Sequence, residues 1–279
     1  MPDTDPKHAA YHIEALARGL AVLSAFSPEQ PELSLTEIAA ATGTTQVSAL
    51  RMSYTLAEAG YLIRNPMTKK YRLGPKILGV ALATLSSMTL PELVEPYLVD
   101  LRNRTQENVT LAVSAGPYAV VIGRMPSRRH PASMTFLGTH LPIHACSLGR
   151  AILAWLPSDE VESILAISED RRYTAKTIPP GKVRAELART RKRGYALNDQ
   201  GTTVEHRSVA APLLNPGGRP IGAINLSVSA QRISLAELDR RLAPEVVECA
   251  AVISTTIPPQ VLGAGHQLLS FDETNFLTG

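Results

Sequence analysis

The sequence predicts an α+β protein in which a helix-turn-helix and a hairpin come first and an antiparallel sheet flanked by helices follows. Three observations support this fold class: a two-helix pattern over residues 33–62, several short β-like segments between residues 109 and 229, and helical patterns at both ends of those segments. The chain of 279 residues is long enough for two domains, each with its own core. Its 44% hydrophobic and 19% charged residues are typical of a globular protein.

The two helices near the start meet at a tight turn around Gly43. Ser34 is placed to cap the first helix, and Glu37 three residues later completes the capping-box pattern. Ile38 then supplies an apolar anchor for the same helix. Such a unit is typical of proteins whose second helix enters the major groove of DNA.

The second of these helices has an apolar and a polar set of residues. At roughly helical spacing, we expect four residues to pack inward: Val47, Leu50, Tyr54 and Leu56. The polar set, expected to face DNA together with the turn before it, is Thr44, Thr45, Gln46, Ser48 and Arg51. Arg51 is the helix's only cation, and the amide of Gln46 suits an adenine edge.

Residues 61–73 predict two strands around an Asn-Pro-Met-Thr turn. This hairpin has no acidic residue and four cations: Arg64, Lys69, Lys70 and Arg72. Taken alone, the cluster favours a solvated hairpin face, but directly after a helix-turn-helix it predicts a wing that contacts DNA phosphates. The first 75 residues hold seven basic and seven acidic side chains, so DNA binding depends on where the charges lie rather than on their excess.

Composition disfavours several other classes of protein. The net charge is only +3, and the two cysteines, Cys146 and Cys249, are too few and too far apart for a metal site or a disulfide framework. The N-terminus lacks the pattern of a signal peptide, and no run of about 18 apolar residues is present. We therefore expect a cytoplasmic protein with no metal, no cofactor and no membrane partner.

The pattern along the chain divides it into four parts: the helix-turn-helix domain with its wing over 1–74, a linker helix over 75–89, a second domain over 90–262 and a tail over 263–279. The first domain begins with a helix from about His12 to Ala25, with an apolar face of Ile13, Leu16, Leu20 and Leu23. The linker helix is mostly apolar, so it needs a partner, either the second domain or the same helix of another subunit.

The second domain is predicted to place helices around short strands. Strands are expected at 109–115, 118–125, 132–137, 195–198, 207–214 and 220–229. Helices are expected near 91–106, from Cys146 or Ser147 to 156, and at 159–167, 179–194 and 235–256. Asn215-Pro-Gly-Gly between the last two strands is a strong hairpin signal.

Seven segments stand out in this order: 17–26 (ARGLAVLSAF), 59–62 (AGYL), 71–74 (YRLG), 141–154 (LPIHACSLGRAILA), 193–199 (RGYALND), 207–213 (RSVAAPL) and 221–227 (IGAINLS). Through them the chain resembles the IclR family of bacterial transcriptional regulators. The resemblance implies a winged helix-turn-helix, a linker helix and a GAF-like effector domain, assembled as a homodimer or a dimer of dimers on double-stranded operator DNA. Helix 1 and residues 31–39 are most similar to the subgroup that regulates protocatechuate and 4-hydroxybenzoate breakdown, which implies an aromatic acid or a related aromatic compound as effector.

Carried over position by position, the family's effector site falls on His130, Ser133, Leu141, Ser147, Leu148, Asn198, His206, Ser208, Asn225 and Ser227. Ser147 and Leu148 open a helix, so their backbone N–H groups suit a carboxylate. Asn225 and Ser227 share one face of a strand, where buried polar groups need partners that a ligand could supply. Equally, that face could meet solvent while the alternate apolar residues of the strand face the core.

Two other functions stay open from the sequence. One is an enzyme that acts on a small acyl compound through Cys146, His144 or His206, because His144 and Cys146 lie two apart and would project to one face of a strand. No acidic orienting partner is evident for this pair, so we expect a regulator and not an enzyme. The other is a constitutive DNA-binding protein whose second domain only oligomerises. The basic run over 189–193 predicts a solvated helix face rather than a nucleic-acid site.

Overall fold

The computed structural model describes residues 12–27, 30–86, 89–129 and 135–256. The chain divides into two compact units, Met1–Ser87 and Met88–Gly279. The first is a winged helix-turn-helix, and the second is an antiparallel sheet with helices, so the α+β class is confirmed. The predicted tail over 263–279 lies outside the described residues.

In its described residues the first unit has four helices and a two-stranded hairpin: α1 (Glu14–Ser24), α2 (Leu35–Thr42), α3 (Gln46–Glu58), β1 (Leu62–Arg64), β2 (Tyr71–Leu73) and α4 (Lys76–Ser86). The start of α2 has the predicted capping box, in which Ser34 and Glu37 each bond the other's backbone N–H. Gly43 ends the helix at φ +63°, a left-handed conformation that glycine adopts without a steric penalty. The strands β1 and β2 pair antiparallel, as the hairpin pattern predicts.

The inward face of α3 differs from the prediction. Val47, Leu50 and Tyr54 are exposed, so the expectation that they pack inward is wrong. The residues that face the core are Ala49, Met52, Ser53 and Leu56. Small side chains on this face let α3 lie close to its neighbours, and that packing, not apolar spacing, selects the buried side.

The first unit exposes apolar side chains on two further helices. The predicted apolar face of the first helix, Ile13, Leu16 and Leu20, is exposed, whereas Val22 is buried and Leu23 partly buried. On α4, Leu78, Val80 and Leu82 are also exposed. Hydrophobic side chains on two helices of one small unit therefore remain open to a partner.

The second unit contains six strands and six helical segments in the described residues. The strands are β3 (Asn108–Ala115), β4 (Tyr118–Met125), β5 (His140–Pro142), β6 (Ala196–Asp199), β7 (His206–Leu214) and β8 (Pro220–Ser229). The helical segments are α5 (Thr89–Thr105), α6 (Ser147–Leu153), α7 (Ser158–Ala166), α8 (Pro180–Arg193), α9 (Leu235–Glu237) and α10 (Ala243–Thr256), with a π-helical turn at Leu238–Leu242 between the last two.

The strands form one antiparallel sheet in the order β5-β4-β3-β8-β7-β6. The edge strand of this sheet, β5, lies at His140–Pro142 and not at the predicted 132–137. Residues 130–134 lie outside the described part of the chain, and 135–137 are not in a strand. A turn closed by Thr139, whose Oγ1 accepts the N–H of Phe136, places the short strand later, at β5.

Helices cover both faces of this sheet. On one face, Ile224, Leu226 and Val228 pack with α5 and α10 in the larger core. On the other, alanines of the central strands, including Ala112, pack against α6. No single helix in the described residues is long and apolar enough to span a bilayer; α5 passes such a test only together with Lys76–Thr84, as a bent pair, and Leu98 on its inner face is buried in the core.

Candidate functional site

The turn before α3 is held by short polar contacts. Thr45 caps the helix, with its Oγ1 accepting the N–H of Ser48 at 3.2 Å, and Thr44 Oγ1 lies 2.9 Å from Thr42 Oγ1. Gln46 Nε2 donates to Thr36 Oγ1 at 2.9 Å. This bond uses one amide hydrogen of Gln46, and the expected contact with an adenine edge would need the other amide hydrogen and Oε1.

The outward face of α3 combines the predicted polar residues with apolar ones. Gln46 and Arg51 are exposed and Ser48 is half-buried. The exposed Val47, Leu50 and Tyr54 lie on the same side, although their spacing predicts that they pack inward. Apolar residues occur on every side of α3, so its sequence pattern does not show which side is exposed.

The four cations of the wing occupy different positions. Arg64 lies over the ring of Tyr71, at 5.8 Å from the ring centre, whereas Arg72 pairs with Ile63 in the register and so points to the opposite face of the hairpin. Lys69, in the turn at φ +59°, is exposed.

Lys70 is the least available of these cations for a phosphate. Its Nζ lies 3.7 Å from the Oε2 of Glu37, the capping-box residue of α2. Arg64, Lys69 and Arg72 are exposed, and no ion pair is found for them within the described residues.

A row of buried polar side chains crosses the face of the large sheet that α6 covers. The register aligns Asn198 with Ser208, Ser208 with Ser227, and Ser227 with Asn108, so all four point to the same side. Each of them is buried. Ser227 is therefore buried, as one of the two alternatives expected, and the alternative in which this face meets solvent is wrong.

The second row on the same face is also polar. Asn225 pairs with Thr110 in the register, and both are buried. The Oδ1 atom of Asn225 has no hydrogen-bond partner among the described residues. A buried oxygen in this condition costs about 1–3 kcal/mol, so the position favours a bound donor.

The start of α6 lies directly above the row. Ser147 Oγ and Ser208 Oγ are 2.7 Å apart, which joins the helix to the sheet. The side chain of Leu148 belongs to the apolar core under α6. Cys146 caps α6, and its Sγ accepts the backbone N–H of Gly149, so this N–H in the first turn already has a partner.

Asn198, at the far end of the row, has its own partners. Its Oδ1 accepts the N–H of Gly201 at 3.1 Å and its Nδ2 donates to Thr202 Oγ1 at 3.3 Å, so it shapes the loop after β6. Its neighbour Asp199 pairs with Lys176 and Arg207. Although burial raises the pKa of Asp199, these hydrogen bonds lower it to about 2.

The other predicted effector residues lie at the margins of this face. His206 begins β7 on the same side as Ser208; its Nδ1 is buried without a partner among the described residues, and burial lowers its pKa. Leu141, in β5, packs against the core under α6. His130 and Ser133 lie outside the described residues.

Three polar residues of this face were missed by the sequence analysis. Asn108 and Thr110 lie two apart on β3, as Ser227 and Asn225 do on β8, and that shared spacing was the available signal. Arg124 pairs with Thr110 in the register and brings a guanidinium to the same face. It also lies over the ring of Phe136, 5.8 Å from the ring centre.

A fully buried arginine ties α6 to the sheet. Arg150 Nη1 donates to the carbonyl oxygens of Ala145 at 2.7 Å and His144 at 3.2 Å, and its Nη2 donates to the carbonyl of Leu197 at 2.5 Å. These bonds connect the loop before α6 with the edge strand β6. The polar row is thereby held at a fixed distance from the helix.

Cys146 and His144, the pair that the enzyme alternative would use, are not arranged for nucleophilic chemistry. Burial raises the pKa of the Cys146 thiol, and its Sγ is occupied as the helix cap. Burial, with the charge of Arg150, lowers the pKa of His144, whose ring nitrogens bond neither Cys146 nor any other described group. A neutral buried thiol is a poor nucleophile.

The basic helix α8 has partners for most of its charges. Glu186 pairs with Arg189 and Arg193, and Glu162 pairs with Arg184. Arg191 lies over the ring of Trp155, 5.0 Å from the ring centre. These contacts favour the interpretation that the basic run over 189–193 is a solvated helix face and not a nucleic-acid site.

Two family models match this chain over most of its length. The model described as the IclR helix-turn-helix domain matches residues 15–66, and the one described as the bacterial transcriptional regulator IclR C-terminal domain matches residues 82–255.

Named relatives and solved structures agree with these matches. The transcriptional regulator XynR of Escherichia coli is 29% identical over 227 residues (81% of this chain, 90% of the relative), and the Pca regulon regulatory protein of Pseudomonas putida is 29% identical over 232 residues (82% and 79%). A transcriptional regulator from Rhodococcus sp. RHA1 is 32% identical with a TM-score of 0.70 (91% of this chain, 99% of that one). An IclR family regulator from Brucella abortus is 26% identical with a TM-score of 0.75 (92% and 98%).

Proposed function

The chain belongs to the IclR family of transcriptional regulators, and we propose that its binding to operator DNA is controlled by a small aromatic acid, or a related aromatic compound, held on the polar face under α6. The observation that carries the proposal is the buried polar face itself, which includes the Oδ1 of Asn225, an atom that no described residue bonds. A sheet face covered by a helix is normally apolar, and buried polar atoms without partners are rare in folded proteins. We also propose that the protein acts in the cytoplasm, where the chromosomal DNA of bacteria lies.

On the DNA side, α3 is the recognition helix and the hairpin is the wing. Thr44, Thr45, Gln46, Ser48 and Arg51 are the proposed contacts from the helix and its turn, with Gln46 on an adenine edge and Arg51 on a guanine. Arg64, Lys69 and Arg72 are exposed and suited to phosphates, and Lys70 contributes less because Glu37 holds it. We propose residues 1–74 as the DNA-binding domain.

The aromatic class rests on two arguments. The chain is 29% identical to the Pca regulon regulatory protein over 232 residues. Its helix 1 and residues 31–39 resemble the subgroup that regulates the breakdown of aromatic acids. The face also offers complementary chemistry for a carboxylate, since Arg124 brings a positive charge next to Thr110, which separates it from Asn225. Ser147, Ser208 and Ser227 offer hydroxyl partners at the α6 end, and His206 offers an imidazole.

The exposed apolar helices of the first unit support a homodimer. Two copies would place two α3 helices in major grooves one helical turn apart, about 34–36 Å, or a multiple of it. Residues 75–89 are the proposed linker helix, through which the effector domain, residues 90–262, changes operator affinity by a coupling of about 1–3 kcal/mol.

A thermal-unfolding screen of the full chain with small aromatic acids, followed by operator binding with and without each hit, tests this function. We expect at least one acid to raise the midpoint of unfolding and to change operator affinity about 5- to 150-fold. The operator is first obtained by selection from random duplex DNA.

The variant Asn225→Ala separates a ligand contact from a structural role. Because no described residue bonds the Oδ1 of Asn225, removal of this side chain should leave effector-free stability and operator binding intact while it abolishes the response to the acid. Asn103→Ala, on the exposed surface of α5, is the matched control and should respond as the wild type does. If no aromatic acid changes stability or operator affinity, the protein binds DNA constitutively and the effector proposal fails.

A further inference from the structure

The exposed face of α3 carries apolar side chains that the described part of the first unit leaves uncovered. Val47 is 68% exposed, and Tyr54 and Leu50 are exposed to 62% and 44%. At 3.6 residues per turn, Val47, Arg51 and Tyr54 point within about 60° of one another, and Leu50 lies at the edge of the same face. Exposed apolar groups in this arrangement favour a site of contact.

We propose that this face reads thymines, with Val47 and Leu50 in contact with thymine 5-methyl groups in the major groove. The inference rests on the proposed operator binding, since it names what the recognition helix recognises. The methyl group of thymine is the apolar group that the base edges present in the major groove, and the first turns of a recognition helix lie against base edges. Val47 is the second residue of α3 and Leu50 the fifth.

Charge favours DNA over a second copy of this chain as the occupant of this face. Arg51 is exposed beside Val47 on this face, and a two-fold contact between copies would bring two Arg51 side chains into one interface. The same unit also exposes Arg64 and Arg72 on the wing, which suits a partner with phosphates. Glu58 is the acidic residue of α3 and lies at the last position of the helix, three turns from Val47.

The helix also sets the spacing of the bases that are read. Val47 and Arg51 are four residues apart, or about 6 Å along the axis, whereas neighbouring base pairs are about 3.4 Å apart. Arginine binds guanine most often, through both O6 and N7. We therefore expect each operator half-site to carry a thymine about one or two base pairs from the guanine that Arg51 contacts.

The test replaces each thymine of a selected operator half-site by deoxyuridine, which removes the 5-methyl group and nothing else. For the full-length wild-type chain, we expect one or two positions at which the replacement weakens binding about three- to tenfold. Val47→Ala should bind the thymine operator more weakly by a similar factor and should no longer distinguish thymine from uracil at one of those positions. Leu50→Ala should do the same at the other.

Val204→Ala is the matched control, because Val204 is 66% exposed and lies in the second unit. It should keep the full discrimination between thymine and uracil, and unchanged thermal unfolding of Val47→Ala would exclude a folding defect. Equal binding of thymine and uracil operators by the wild type overturns the inference, as does discrimination that persists in both variants. A change in oligomeric state of Val47→Ala with no uracil effect would assign the face to a second copy. Failure to select any operator would instead contradict operator binding.

Discussion

The guanidinium of Arg150 is buried beside the polar row and donates to three carbonyl oxygens from two parts of the second unit. Burial of a charge is costly, and the cost is offset only where hydrogen bonds satisfy the group. The planar guanidinium fork reaches Ala145 and Leu197 at once, which a single ammonium does not. At this scale, one side chain keeps α6 in place over the site.

Arg150→Met should therefore destabilise the second unit by about 3 kcal/mol, because three buried carbonyls lose their donor. Arg150→Lys should recover less than half of that loss, since the charge remains but the fork is gone. Denaturant unfolding measures both. Arg184→Met is the control: this arginine pairs with Glu162 on the surface, where solvent screens the ion pair, so its loss should leave the free energy of unfolding nearly unchanged. Similar losses for Arg150→Met and Arg184→Met would contradict the bracing role.

Among the elements, α6 approaches its own entry loop more closely than any side chain would allow. A Cβ atom at Gly149 would lie 2.0 Å from the carbonyl oxygen of Ile143, a backbone atom that cannot move aside cheaply. The helix is short, from Ser147 to Leu153, and all its residues are buried. Its position therefore depends on this close contact and on the small alanines of the sheet below.

We expect Gly149→Ala to destabilise the second unit by about 3 kcal/mol or more, and to abolish effector binding with it, because the loop or the helix must shift. Gly181→Ala in α8 is the same substitution in a helix with open space around it, and it should be neutral or stabilise by up to about 1 kcal/mol. Thermal unfolding and the ligand-induced shift check both. A comparable loss in both variants would contradict the packing argument.

At the scale of the whole molecule, the exposed apolar residues of the first unit form two groups with different proposed contacts. Those on α3 are proposed to contact DNA, and those on α1 and α4, which are also exposed, are proposed to contact another subunit. A dimer also aligns two recognition helices, so operator affinity and assembly are expected to depend on each other.

Leu78→Ser on α4 should weaken the dimer about tenfold or more, since burial of a leucine side chain contributes about 1.5–3 kcal/mol. Sedimentation equilibrium measures the dissociation constant, and operator affinity at low protein concentration should fall with it. Ile167→Ser in the second unit is the control, because its exposure of 65% matches the 64% of Leu78. If Ile167→Ser and Leu78→Ser behave alike, α4 does not form the dimer contact.

The sequence by itself determined the features that depend on neighbours along the chain. Ser34 with Glu37 fixes the start of α2, Gly43 fixes its end, and the hairpin and the strand patterns follow from turn residues and alternation. These signals are local, because capping and turn geometry involve residues a few positions apart. The same segments in order were enough to indicate the family.

Only the tertiary structure decided which side of an element is buried where both sides are plausible. On α3, apolar residues lie all round the helix, and close packing selected Ala49 and Ser53 over Val47. On β8, alternation offered solvent or core for Asn225, but α6 covers that face and buries the polar residue. The physical reason is that burial depends on partners distant in sequence, whose approach no local pattern encodes.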